Sequence, residues 1–233
     1  MFPQKGIPFG YDQGLIGMEY KFQDFFSDSS IFWAWRSFLG DTPAGKTITE
    51  EEGRLKIAIA STKQGRWDST YNEAPRLFIG ALSFPCEVIT KLVEFDENNN
   101  VQAGLFLSKA PANFGSSIAL QIVRRKSTEG SPINGVAVTR DGLTVLASVA
   151  VITLPLWLRI RIGNDLYASM KAYFDYSIDG VNWVNLWLEN AAPAWNAWSV
   201  GVGLYAQNNC YQAGASAVYS SFDLFKMLPK TVN

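Results

Sequence analysis

The stretch LWLRIRIGND, residues 156–165, shows the clearest β-strand pattern in the chain. Aliphatic residues alternate with Trp157, Arg159 and Arg161, so an extended backbone separates an apolar face from an aromatic and cationic face. The Gly-Asn-Asp sequence that follows is typical of a hairpin turn. The stretch therefore predicts a strand of an antiparallel sheet with one face against an apolar core.

The same alternation recurs through the chain, whereas helical periodicity is weak throughout. We predict strands at residues 54–60, 76–82, 84–95, 101–108, 118–125, 135–139, 143–150, 157–162, 166–177, 181–188, 199–207 and 217–227. Loops are predicted at residues 40–53, 61–75, 108–117 and 126–135. Residues 143–152 are apolar on both faces, which predicts a central strand. The pattern indicates an all-β sandwich of two antiparallel sheets.

The composition excludes several kinds of chemistry. The chain has no histidine, which removes Ser-His-Asp and Cys-His catalysis and every histidine-based metal site. A net charge of −1 predicts no general attraction to nucleic acid. Cys86 and Cys210 cannot form a thiolate metal site alone, and they are either buried free thiols or a disulfide pair.

The composition of the two chain ends predicts the boundaries of the domain. Residues 1–20 are broken by Gly and Pro and predict an irregular N-terminal arm, residues 21–228 the β-sandwich, and residues 229–233 a C-terminal tail. The N-terminus lacks the apolar region of a secretory signal, so we expect a protein that is cytoplasmic or assembled into a particle such as a virion. The apolar run at 143–157 is too short for a bilayer, which needs about 20 residues, so no membrane insertion is expected.

A series of motifs follows in order: FWAWRSFLGD, EEGRLKIAIAS, FPCEVITKLVEF, LWLRIRIGND, FDYSIDGVNW, VGVGLYAQ and SSFDLFKM. This series resembles the concanavalin A-like lectin/glucanase superfamily, and within it the branch of unassigned function that is associated with glycoside hydrolases. The resemblance covers about residues 22–227. It implies a jelly-roll sandwich of two curved antiparallel sheets, the concave one of which often holds a saccharide.

The carboxylates that the resemblance would require for hydrolysis are incomplete. Glucanases of this superfamily carry three carboxylates on one strand, as Glu-x-Asp-x-Glu or with one further residue before the last Glu. Glu94 and Asp96 match the first two positions, but Asn98 and Asn99 stand where the third should be. No catalytic residue is therefore predicted. Oxygen ligands in residues 96–100 could hold Ca²⁺, although a plain polar turn uses the same residue types, and no other cofactor is expected.

The tryptophans are the predicted ligand contacts, because sugar C–H groups stack on indole rings while polar side chains bind the hydroxyls. Candidate ligand-binding residues are Trp33, Trp35, Trp67, Trp195, Trp198, Asn196, Arg159 and Arg161. The two arginines share a strand face and could bind carboxylates. Alternatively, each tryptophan covers an edge of its own sandwich and the arginines form a solvated sheet face.

The features together favour a non-catalytic, lectin-like carbohydrate-binding module with a saccharide as its partner. A second hypothesis is a structural or adhesive component of a larger assembly, such as a virion accessory, fibre or receptor-binding protein, which contacts protein partners through residues 1–20. A third is a glycoside hydrolase that acts through Glu94 or another carboxylate.

Overall fold

The structure, a computed structural model, describes most of the predicted sandwich. The described residues are 22–26, 35–60, 63, 65–67, 71–79, 85–96, 100–108, 119–127, 133–140, 144–164, 170–190, 201–208 and 218–229. Within these ranges every regular element is a β-strand. They contain no helix that is long and apolar enough to cross a membrane.

Fifteen strands are described, and their order follows the alternating segments of the sequence. They are β1 Phe22–Asp24, β2 Arg36–Phe38, β3 Lys46–Glu51, β4 Arg54–Ile59, β5 Arg76–Ile79, β6 Cys86–Phe95, β7 Val101–Ser108, β8 Ala119–Ser127, β9 Ile133–Arg140, β10 Thr144–Val149, β11 Leu156–Asn164, β12 Met170–Ser177, β13 Val184–Glu189, β14 Gly201–Asn208 and β15 Val218–Pro229.

The strands form two antiparallel sheets. The eight-stranded sheet has the order β13-β12-β11-β6-β15-β4-β3, with β1 also paired to β15. The seven-stranded sheet has the order β10-β9-β8-β7-β14-β5-β2. Strands distant in sequence lie side by side in both, such as β6 beside β15 and β7 beside β14. These crossovers confirm the predicted all-β jelly-roll sandwich.

The main core lies between the sheets and follows the predicted alternation. Leu158, Ile160 and Ile162 of β11 are fully buried, whereas Trp157 and its two arginine neighbours are only half-buried. Burial of each such aliphatic side chain stabilises the fold by about 1.5–3 kcal/mol. The strands β7 and β14 are buried along their whole length, so the seven-stranded sheet is covered on both faces at its centre.

One predicted loop contains a strand. Within residues 40–53, the segment Lys46–Glu51 is β3, and it pairs with β4 across the turn residues Glu52 and Gly53. Both turn residues have positive φ, as a two-residue hairpin of this kind requires. The prediction of a loop was wrong because polar side chains masked the alternation, in which Lys46 and Glu50 are the buried members.

The prediction that residues 143–152 form a central strand was also wrong. Its strand, β10, is an edge of the seven-stranded sheet. Leu146 and Val149 pack against the core from this edge, which explains why the strand is apolar without being central. The short strands β1 and β2 were not predicted, because three residues are too few to show a period.

Within the described part of the chain, the four outermost strands of the two sheets carry features that oppose pairing with another chain. The pairing of β10 with β9 shifts register between Val145 and Ala147, and that of β13 with β12 shifts between Phe174 and Asp175. Strand β2 has only three residues, and β3 carries charged side chains. Bulges, charges and short edge strands are common protection against edge-to-edge association.

Candidate functional site

The seven-stranded sheet carries a second layer of side chains on the face that points away from the core, which we term the lined face. Three rings meet there edge to face: Trp67–Phe106 at 5.0 Å, Trp67–Tyr205 at 5.8 Å and Phe106–Tyr205 at 6.0 Å between centroids. All three residues are buried and belong to a hydrophobic cluster separate from the main core. Edge-to-face contacts of this kind hold the rings in fixed positions.

A glycine makes room for this aromatic layer. Gly203 of β14 pairs with Phe106 on one side and Phe78 on the other. A Cβ atom at Gly203 would lie 2.0 Å from the carbonyl oxygen of Leu77 and 2.8 Å from the Cβ of Phe78. The strand of Phe78 therefore packs so close to Gly203 that no side chain fits there.

Polar side chains continue the lined face across β7, β8 and β9. Gln102 Nε2 donates to the Tyr205 hydroxyl at 2.9 Å, and Arg125 Nη1 donates to Gln102 Oε1 at 3.1 Å. Thr139 Oγ1 donates to Gln121 Oε1 at 2.6 Å. Burial raises the pKa of Tyr205 above its ordinary value, so its hydroxyl stays protonated and can donate. The arrangement is a fixed set of buried hydrogen-bonding groups beside an aromatic cluster.

Arg76 of β5 lies between the aromatic cluster and Phe38 of β2, the edge strand of this sheet. Its guanidinium carbon lies 4.1 Å from the centroid of Trp67 and 4.5 Å from that of Phe38, and Nη2 donates to Asn72 Oδ1 at 2.6 Å. Burial lowers the pKa of Arg76 to about 9, partly offset by the charge of Asp41. The guanidinium therefore makes cation–π contacts with the rings of both Trp67 and Phe38.

The strands of the seven-stranded sheet contain neither aspartate nor glutamate. Their charged residues are Arg36, Arg76, Arg124, Arg125, Lys126 and Arg140. Glycoside hydrolysis ordinarily needs two carboxyl groups, one on each side of the scissile bond. The described strands of this sheet supply neither of them.

Glu94, the first residue of the incomplete glucanase motif, lies in β6 of the other sheet. Its carboxylate accepts hydrogen bonds from Ser221 Oγ at 2.7 Å and from Arg54 Nη1 at 2.6 Å. The Ser221 bond, together with Tyr219 and Arg54, lowers the pKa of Glu94 despite partial burial. A carboxyl group held as an anion is unsuited to general-acid catalysis, which needs a raised pKa.

The segment predicted as a possible calcium site, residues 96–100, begins where β6 ends. The backbone N–H of Asp96 donates to the Tyr219 carbonyl at 2.8 Å, and residues 97–99 lie outside the described part of the chain. No group of three or more acidic, histidine or cysteine residues is placed to hold a metal within the described ranges. Calcium binding at residues 96–100 stays a prediction.

The structure separates the predicted tryptophans. Trp35 lies in the main core, where its ring centroid is 4.6 Å from that of Phe225 and its Nε1 donates to Asp24 Oδ2 at 2.8 Å. Trp67 lies in the lined face. Both are buried, so neither presents a ring face to solvent. Predicted residues outside the described part of the chain are Trp33, Trp195, Asn196 and Trp198.

One of the two cysteines, Cys86, lies in the described part of the chain. Cys86 begins β6 and is a buried free thiol, and burial together with the charge of Glu87 raises its pKa to about 12. Cys210 lies outside the described residues. The thiol of Cys86 is therefore a core group without thiolate character.

Arg159 and Arg161 do share a face, as predicted, on the outer side of the eight-stranded sheet. Both bind Asp175 of β12, through Arg159 Nε at 2.9 Å and through Arg161 Nε at 2.6 Å and Nη2 at 3.1 Å. Burial alone would raise the pKa of Asp175, but the hydrogen bonds from Arg161 and Asn185 and the arginine charges hold it below its ordinary value. Asp175 was not predicted as a site residue, although the pairing of β11 with β12 places it opposite Arg159.

The similarity of this chain to known proteins lies in its fold. No protein-family profile and no curated protein matches the sequence. Among solved structures, the GH43 protein BlXynB from Bacillus licheniformis superposes with a TM-score of 0.65 at 17% identity, over 89% of this chain and 39% of that one. Basic winged bean lectin with Tn-antigen gives 0.58 at 9% identity, over 91% of this chain and 100% of that one.

A third similar structure is the catalytic domain of an endo-1,3-beta-glucanase (laminarinase) from Thermotoga petrophila RKU-1. It gives a TM-score of 0.55 at 13% identity, over 91% of this chain and 97% of that one. The chain spans about two fifths of the length of the GH43 protein and nearly all of the other two. The chain thus has the concanavalin A-like fold that the motif order predicted.

Proposed function

We propose that this protein is a non-catalytic saccharide-binding module. The proposal is carried by one observation: the described strands of the seven-stranded sheet hold a buried layer of aromatic, amide and arginine side chains and contain no carboxylate. Saccharide sites need ring faces for stacking and polar groups for hydroxyls, whereas hydrolysis also needs two carboxyl groups. A lectin and two carbohydrate-active enzymes with similar folds support a carbohydrate ligand.

The candidate contacts belong to segments that lead directly into this sheet. Residues 191–200, with Trp195, Asn196 and Trp198, run into β14 at Gly201. Residues 27–34, with Trp33, run through Trp35 into β2. We therefore assign ligand stacking to these indoles. The buried layer of Trp67, Phe106 and Tyr205 supports the sheet beneath, and Trp35 serves the core.

Catalysis through Glu94 is the weaker alternative. Its carboxylate is engaged by Arg54 and Ser221 on the eight-stranded sheet, and the matching third position of the motif holds an amide. We expect no release of reducing ends from polysaccharides, and the same null result for Glu94→Gln. Assembly through residues 1–20 stays a prediction, since those residues lie outside the described ranges.

A glycan array followed by calorimetric titration of the best ligand tests the proposal. We expect Trp195→Ala to weaken binding by about tenfold or more, as expected for loss of one stacking ring. Phe25→Ala is the matched control, because Phe25 is 57% exposed beside β1 and should leave affinity unchanged. Binding of no glycan class by the folded protein, or unchanged affinity in Trp195→Ala, Trp198→Ala and Trp33→Ala alike, would contradict the proposal.

A further inference from the structure

On the outer face of the eight-stranded sheet, Trp183 contacts Arg159, which in turn binds buried and half-buried carboxylates. Asp175, 1% exposed, accepts from Arg159 Nε at 2.9 Å. The Arg159 guanidinium carbon lies 4.1 Å from the centroid of the Trp183 ring, over its face. Arg159 also pairs with Glu87, Nη1 to Oε2, at 3.6 Å. The indole is therefore supported from below by a guanidinium whose own position is fixed.

The turn that precedes Trp183 is rigid. Asp179 Oδ1 accepts from the backbone N–H of Val181 at 2.8 Å and of Asn182 at 2.7 Å. Ser177 Oγ accepts from the N–H of Gly180 at 3.0 Å, and Gly180 lies against the Trp157 ring, so that a Cβ there would be 2.8 Å from it. A turn closed by side-chain hydrogen bonds holds the following residue in place.

The ring of Trp183 is half-buried rather than enclosed. Within the described part of the chain, Arg159 provides its one cation contact, and no second ring stacks on it. The same turn exposes Ile178 by 58% and Val181 by 77%. Trp183 thus directly follows a turn with two exposed apolar side chains, and the hydrogen-bonded turn costs little conformational entropy to present.

The cations next to this ring are paired with carboxylates. Arg159 and Arg161 share Asp175, and Arg159 also pairs with Glu87. Asp179 of the turn is bound by N–H groups of Val181 and Asn182. A charged ligand would have to compete with these pairs, whereas a neutral one would not. A pyranose with equatorial hydroxyls is neutral and presents a flat array of axial C–H groups, which is the shape that stacks on an indole.

We infer that Trp183 is a second saccharide-stacking platform, specific for neutral pyranoses with equatorial hydroxyls and separate from the site proposed above. Its floor is the Arg159 guanidinium, which Asp175 positions. The residue before Trp183 in sequence, Asn182, is exposed, and its Nδ2 donates to Asp179 Oδ2 at 2.7 Å, so its amide oxygen is the group assigned to a ligand hydroxyl. The inference goes beyond the proposed function and does not depend on it, because it rests on Trp183 and on Arg159 of the eight-stranded sheet and on none of the residues assigned to the first site.

The test is an NMR titration of the tryptophan indole N–H resonances with cellohexaose, with Trp183→Phe used to assign the Trp183 signal. We expect that signal to shift, and Trp183→Ala to weaken cellohexaose binding to this face by about tenfold at unchanged melting temperature. Trp183→Phe should retain part of the affinity because it keeps a ring. Val181→Ala controls for loss of apolar surface elsewhere on the turn.

The outcomes distinguish the two sites. A Trp183 shift that persists in Trp195→Ala supports this platform. It does so whether or not Trp195→Ala changes the affinity assigned to the first site. An unshifted Trp183 signal at millimolar cellohexaose overturns the inference and leaves the first site to its own test. Stronger binding of oligogalacturonate than of cellohexaose at Trp183 would also overturn it, because the charge argument requires a neutral ligand.

Discussion

Arg161 holds Asp175 through two hydrogen bonds, Nε to Oδ2 at 2.6 Å and Nη2 to Oδ1 at 3.1 Å, across the β11–β12 pair. The carboxylate is 1% exposed and also accepts from Arg159 and Asn185. Two strands are therefore cross-linked by one buried anion, and the cationic groups around it depend on its charge.

We expect Asp175→Asn to lower the free energy of unfolding by about 3–5 kcal/mol, because it leaves two partly buried guanidinium groups without their shared anion. Urea denaturation at pH 7 measures the change. Asp223→Asn is the control, since Asp223 pairs with Lys91 in a more exposed position and should cost about 1 kcal/mol or less. Equal effects of the two substitutions would contradict the structural role of Asp175.

The same carboxylate predicts a pH dependence. The folded-state pKa of Asp175 is lowered, so its contribution to stability is present above the unfolded pKa of about 3.9 and is lost as pH falls through the folded pKa. The stability difference between wild type and Asp175→Asn should stay constant from pH 7 to about pH 4 and shrink below that. A difference that already disappears between pH 7 and pH 5 would indicate a raised pKa and contradict this prediction.

Two strand glycines should respond oppositely to alanine. At Gly203 the added Cβ would meet backbone 2.0 Å away, whereas at Gly163 nothing lies within 4 Å. We expect Gly203→Ala to destabilise the protein by about 2 kcal/mol or more, or to prevent folding. Gly163→Ala should be neutral or stabilising by about 0.5–1 kcal/mol, because it reduces the entropy of the unfolded chain. Thermal melting of both variants tests the pair, and a tolerated Gly203→Ala would disprove the close packing.

Glu94 should titrate below an ordinary glutamate. The Ser221 hydroxyl is the largest cause of its lowered pKa, so Ser221→Ala should raise that pKa toward the ordinary value of about 4.3. Carboxyl NMR titration measures the shift. Ser220→Ala is the control, because Ser220 Oγ faces the Ile57 carbonyl instead. If Glu94 titrated above pH 5 in the wild type, an acid role in catalysis would regain support.

Long alternating segments could be predicted from sequence because their period reflects burial directly. Strand β11 was predicted at 157–162 and spans Leu156–Asn164, since its aliphatic side chains all face one core. The pattern failed where burial did not follow hydrophobicity. Strand β3 buries Lys46 and Glu50, and β10 places apolar residues at an edge.

The candidate sites were less predictable, because they depend on contacts between strands. Trp35 and Trp67 were predicted as ligand contacts from residue type, but both are buried by their neighbours. The importance of Asp175 appears only when the β11–β12 register is known. The contacts of Gly180 with Trp157 and of Trp183 with Arg159 likewise appear only in the paired sheet.

The register shifts at β10 and β13 bear on how the protein behaves at high concentration. An extended strand that joined either edge would meet one residue too many and could not continue its ladder of amide bonds. Strand β2 has three residues and β3 carries charged groups, so each of the four described edge strands has a feature that opposes the growth of a fibril. We therefore expect that these edges do not promote fibrils at high protein concentration, and light scattering at tens of milligrams per millilitre tests this.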